Sequence, residues 1–146
     1  MEFSDFGGRH LYKTESQILI KSTFGDTTTF SYFDSLMAEK YRSYSLVKSQ
    51  NGSFELLKHP HLRSVNEFKG LDSILYLKYE FINPPMDGDG AVILNPELGE
   101  IASYSYTWGN SFLLTKYNGQ QVPQELIETL FSDSLSSPNY YYEEKK

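Results

Sequence analysis

Residues 44–59 read YSLVKSQNGSFELLKH, two apolar runs on either side of Asn51-Gly52. Asn-Gly is the preferred pair for a type I′ turn, because both central residues of that turn need positive φ. A two-residue loop predicts a hairpin over 44–58 with Gln50 opposite Ser53. Lys48 then faces Glu55, Val47 faces Leu56 and Leu46 faces Leu57. One opposite-charge pair and two aliphatic pairs support that register. A hairpin is marginal alone, so the rest of the chain must supply its partners.

Much of the chain carries strand patterning. Residues 17–24, QILIKSTF, read as one strand. In LDSILYLKYEFI, Leu75, Leu77, Tyr79 and Phe81 alternate on one face, and Lys78 and Glu80 mark the other as partly wet. Pro84 and Pro85 end that strand, since proline donates nothing to a ladder. AVIL is a short buried strand, and NPELGE is a turn with fixed φ at Pro96 and a left-handed Gly99. IASYSYTW alternates Ala102, Tyr104, Tyr106 and Trp108 against Ile101, Ser103, Ser105 and Thr107, and Gly109-Asn110 turns the chain into SFLLTKY. Residues 72–117 therefore predict a four-strand antiparallel meander.

Two segments carry helical spacing instead. Phe30, Phe33, Met37, Tyr41 and Tyr44 recur every three or four residues, and Ser31 with Asp34 fits a capping box, which predicts a helix near 31–43. Val122, Leu126, Ile127, Leu130 and Phe131 share one face behind Pro123, which predicts a helix near 122–135. HPHLRSVNEFKG, after the break at Pro60, reads as a short helix or irregular connection, and FGGRH as a flexible lead-in. The expected fold is α+β, a mainly antiparallel sheet packed by two helices. It forms one domain over 1–135, followed by a mobile tail over 136–146.

Composition narrows the function. The chain of 146 residues contains no cysteine, which excludes disulfides, thiolate metal sites and a cysteine nucleophile. No apolar stretch approaches the roughly 18 residues that span a bilayer, and the start lacks a basic segment followed by an apolar one. A soluble cytoplasmic product with no membrane partner is expected. Residues 1–70 carry 8 acidic and 9 basic side chains, a balance of +1, and residues 71–146 carry 11 and 4, a balance of −7, which sum to the net −6. An acidic field repels nucleic acid and attracts basic proteins.

Few residues suggest chemistry. Asp87 and Asp89 sit in the loop NPPMDGDG. With Gly90 at the sixth position of an EF-hand loop, they fall at the third and fifth. However, Pro85 then stands first and Pro96 twelfth, where the strongest calcium ligands belong. The loop reads as a turn carrying two carboxylates, and no metal or cofactor is expected. His10, His59 and His61 read as solvated loop residues, and there is no G-x-S-x-G elbow or phosphate loop.

The expectation is therefore a small acidic non-enzyme of the immunity-protein, antitoxin or inhibitor type. It would neutralise a basic partner, such as a toxin or nuclease, by stoichiometric occlusion. Asp87, Asp89, Glu97 and Glu100 would pair with the partner's cations, and Tyr104, Tyr106 and Trp108 would anchor it. The alternatives are a small ligand-binding domain or enzyme with a pocket on the aromatic strand face, and a viral or assembly subunit.

Overall fold

A computed structural model describes residues 1–69, 74–82, 89–132 and 135. The fold is nearly all β, two antiparallel sheets with one short helix among the described residues, and this corrects the expected α+β architecture. Both the Asp87 position and the tail over 136–146 lie outside the described residues.

The larger sheet starts from the chain's first residues. β1 (Glu2–Gly7) and β2 (His10–Ser16) form a hairpin, so FGGRH is a tight turn and not a lead-in. The predicted meander is present as β8 (Leu75–Phe81), β9 (Gly90–Asn95), β10 (Gly99–Ser105) and β11 (Asn110–Tyr117). Residues 62–69, expected as a helix or irregular, add β7 (Leu62–Lys69) to the edge. The strand order is β2-β1-β11-β10-β9-β8-β7, and β12 (Gln120–Gln121) bridges the end of β11.

The smaller sheet overturns the first predicted helix. It runs in order through β3 (Ile18–Phe24), β4 (Thr27–Phe33), β5 (Lys40–Lys48) and β6 (Phe54–Leu57). The residues near 31–43 thus span the end of β4, a turn and the start of β5. Physically, TTTFSYF also alternates with period two, and its β-branched and aromatic residues suit a pleated surface. Phe30 and Tyr32 point inward with Tyr44, while Ser31 pairs outward with Ser43. Asp34 caps no helix. Its Oδ1 accepts from the Ala38 amide at 2.7 Å and closes the turn that ends β4.

The hairpin over 44–58 exists with its register moved by one residue. Leu46 faces Leu56 and Val47 faces Glu55. Ser49 N donates to Ser53 O at 2.8 Å, so three residues form the loop. Only Gly52 takes positive φ, at 88°, while Asn51 Oδ1 accepts from the Ser53 amide at 3.1 Å. That is the three-residue loop with a left-handed glycine. The slip sends Leu46 and Leu56 together into the core, where burial outweighs the charge pair of the predicted register.

The two sheets stack face to face. Phe3 of the large sheet meets Tyr32 of the small one edge to face, with ring centroids 5.8 Å apart. The other face of the large sheet is covered by α1 (Gln124–Leu130), all that the described residues hold of the helix predicted near 122–135. Leu126 and Leu130 are fully buried, and Phe6 packs edge to face on Phe131. Because β8 lies between covered faces, Lys78 and Glu80 are buried and not partly wet.

The sheets approach closely at Gly99, which has φ 82° and faces Phe30 and the Tyr32 hydroxyl. A β-carbon there would overlap the Phe30 ring and the Tyr32 hydroxyl. Gly99→Ala is expected to cost roughly 2 kcal/mol or more, through strained backbone and steric overlap. A lowered urea midpoint would check it.

Candidate functional site

Three clusters of polar chemistry emerge, and the sequence-named residues are divided among them. The first lies between the sheets. β10 carries Glu100 inward, with its side chain 2% exposed, against Arg42 of β5. Arg42 Nε and Nη2 donate to Glu100 Oε2 at 3.1 and 2.6 Å. Arg42 Nη1 donates to Gln17 Oε1 at 2.7 Å. Tyr44 donates to Glu100 Oε1 at 2.8 Å, and the Glu100 amide donates to the Tyr32 hydroxyl at 2.7 Å. The guanidinium also lies 4.2 Å from the Tyr32 ring centroid. Burial disfavours the Arg42 cation, yet charge and hydrogen bonding from Glu100 outweigh it and hold its pKa above the ordinary value.

Beside this network an open cleft of about 420 Å³ is lined by Arg42, Tyr44, Phe81, Val92, Ser103 and Phe112, among others. Phe81 is 40% exposed at its rim.

The second cluster is on the opposite face of the large sheet. Lys78 Nζ lies 3.2 Å from Glu80 Oε1, with the lysine side chain fully buried. The Tyr106 hydroxyl donates to the same oxygen at 3.0 Å.

The third is a surface turn over residues 106–109, between β10 and β11. Asp89 Oδ1 accepts from the Thr107 amide at 3.1 Å and from its hydroxyl, and the Asp89 carbonyl accepts from the Tyr106 amide at 3.2 Å. The Trp108 amide donates to Ser105 Oγ at 3.3 Å. These bonds hold the turn, and the Trp108 side chain is 67% exposed.

Of the residues named from sequence, the structure therefore brings together Asp89, Tyr106 and Trp108. Asp87 lies outside the described residues. Glu97 is exposed in the turn between β9 and β10, at the far end of β9 from Asp89. Glu100 is held internally by Arg42 and Tyr44, and Tyr104 is buried with its hydroxyl donating to the Leu130 carbonyl. Among the described residues no three His, Asp or Glu side chains gather as metal ligands. His59 is tied down, its Nε2 donating to the Ser43 carbonyl at 2.9 Å.

Arg42 and the interior roles of Lys78, Tyr32 and Tyr44 escaped the sequence reading. Arg42 shares a period-two face with Tyr44 and Leu46, and Lys78 interrupts an apolar run. A charge inside a buried stripe is the available signal, because such a charge needs a partner.

Compared with known proteins, the chain matches no family model, no curated protein sequence and no solved structure. No helix among the described residues is long and apolar enough to cross a membrane. By fold, the chain is a two-sheet antiparallel β domain with an ion pair between its layers.

Two predictions follow the buried network. Glu100→Gln leaves a buried guanidinium without its counter-charge and is expected to cost about 3 kcal/mol. Arg42→Met combined with Glu100→Leu should recover much of that loss in chemical denaturation. The second concerns alkaline pH. Burial first, then Glu100, raises Tyr44 and Tyr32 far above the ordinary 10.0, burial and then Tyr76 does so for Tyr104, and burial with Glu67 and Glu55 pushes Tyr79 up to about 12. A raised folded pKa contributes stability that is complete below the unfolded value and is lost as pH climbs toward the folded one. Stability should thus hold up to about pH 10 and fall above it. Tyrosinate absorbance from these four rings should appear only with unfolding.

Proposed function

We propose that this chain is a non-catalytic protein-binding module that occludes a basic partner, with Trp108 as the anchor. The observation that carries this reading is an exposed tryptophan on a turn held by Asp89 and Ser105. A large aromatic displayed on a turn that needs no ordering loses little entropy on binding, and tryptophan is enriched among the residues that dominate interfaces. The net charge of −6 favours a basic partner and speeds its approach. Asp89 serves by positioning the anchor. Glu97 remains exposed to meet a cation, whereas the Glu100 carboxylate is committed to Arg42. The absence of catalysis is part of the proposal: Arg42, Glu100, Lys78 and Glu80 are engaged with one another inside the fold.

A second reading rests on the cleft of about 420 Å³, which lies in the size range of small-ligand sites. A thermal-shift screen against the wild type and Ser103→Trp would separate the two. Ligand-induced stabilisation abolished by the tryptophan would favour the cleft.

The direct test is capture of partners from the native host at low and high salt, with wild type and Trp108→Ala as paired baits. One basic protein bound near one to one, weakened by salt and by at least tenfold in affinity with Trp108→Ala, is the expected result. Trp108→Ala should leave unfolding within about 0.5 kcal/mol of wild type, since the ring covers little of the core. Equal capture by both baits would sink the assignment of the anchor.

A further inference from the structure

The outer face of the four-stranded sheet carries a second inference, independent of Trp108. Phe30, Tyr32, Tyr44 and Leu46 point inward, so the ladders place their neighbours outward. Across its middle, hydroxyls pair between strands, Thr29 with Ser45 at 2.8 Å and Ser31 with Ser43 at 3.3 Å. Along β3, Ile20 is 45% and Phe24 89% exposed. Among the described residues of this face only two are charged, and they stand at opposite ends. Lys40 lies opposite Phe33 in the row of Ile18, and Glu55 lies opposite Val47 in the row of Phe24 and Thr27.

We propose that two copies of this chain pack outer face on outer face, about a two-fold axis that lies in the contact plane and crosses the strands. That operation exchanges the two end rows. Ile18 of each copy meets Phe24 of the other, and Lys40 of each stands across the contact from the other's Glu55, offset sideways by one strand spacing, about 4.8 Å, so that their side chains meet between the sheets. The two hydroxyl rows exchange as well, so polar groups meet polar groups and the isologous contact is self-complementary.

Charge selects a second copy over the basic partner. A face with one cation and one anion offers nothing to a protein of single-sign charge. A chain of net −6 repels itself everywhere except where its own charges cancel, as they do here. The geometry also favours the face over the edge. Lys21, at the middle of edge strand β3, points inward to the Glu97 carbonyl at 3.1 Å. Antiparallel pairing of two β3 edges about their middles would set lysine against lysine, and an inward charge on an edge strand guards against such pairing.

Area sets the strength. Four strands, with β3 and β4 each seven residues long, give a patch of roughly 19 by 23 Å. Two such patches bury less than about 1,000 Å² in total, below the size of a permanent interface. The dimer is therefore weak and reversible, at the low end of interface sizes.

Sedimentation equilibrium of the full chain, from about 1 μM to 1 mM, tests this. A concentration-dependent monomer–dimer equilibrium is expected. Ile20→Lys with Phe24→Lys should abolish it while circular dichroism stays that of the wild type, since both positions are solvent-exposed. Lys40→Glu alone and Glu55→Lys alone should each weaken the dimer about tenfold or more, and the two together should restore it. Trp108→Ala should leave the dimer intact, which separates this inference from the partner-binding one. A monomer at every concentration would overturn the proposal. So would a dimer insensitive to the Ile20 and Phe24 changes, or a double charge exchange no tighter than the single ones.

Discussion

The ion pair between Arg42 and Glu100 is the constraint on which the arrangement of the two sheets depends. Stacked sheets held only by apolar side chains can slide with little loss, because the hydrophobic effect is proportional to area and has no direction. A guanidinium that donates to Glu100 through two nitrogens and to Gln17 through a third admits one position. Tyr32 and Tyr44 bring two further hydroxyls to the same residue. Taking these charges out of water is costly, and the attraction between them offsets that cost only when the geometry and the remaining hydrogen bonds are good. Here the gain is in specificity: one offset of the small sheet over the large sheet satisfies every member. Gly99 stands next to Glu100 in the chain and lets the layers close to the distance that these bonds require.

The same logic governs how the acidic half of the chain is used. Its carboxylates read in sequence as a field directed at a partner, yet Glu80 and Glu100 are directed inward and Asp89 holds a turn. Among the described residues, the charge that remains for long-range attraction is spread over the surface and is not focused at one loop. Approach and anchoring are thus separate functions in the proposed module. The overall charge steers a basic protein, and a single exposed indole gives it a point of contact.

The two proposed surfaces lie on different parts of the fold. The Trp108 turn is at an end of the large sheet, and the self-complementary face is the exterior of the small one. A dimer formed through the small sheets leaves both indoles exposed and makes the assembly bivalent. Effective concentration then raises avidity for a multivalent or surface-bound partner without any new contact.

The sequence by itself determined the strands of the meander, the existence of the hairpin, the left-handed turn at Gly99 and the apolar face of the short helix. Each is a local matter of period, turn chemistry or side-chain shape. It did not determine whether Phe30 to Tyr44 would be helix or strand, because aromatic residues there satisfy both periods over a short window. Pairing with β3 and β5, the strands on either side of it in the chain, decided that question in favour of strand. The hairpin register was likewise settled by which leucines could reach the core, since a slip of one residue exchanges the faces of a strand. Only the tertiary structure showed that Lys78 and Glu100 are interior charges and that Trp108 is exposed. Alternation tells which residues share a face. Whether water or another layer lies against that face depends on elements far away in sequence, and no local pattern encodes their arrival.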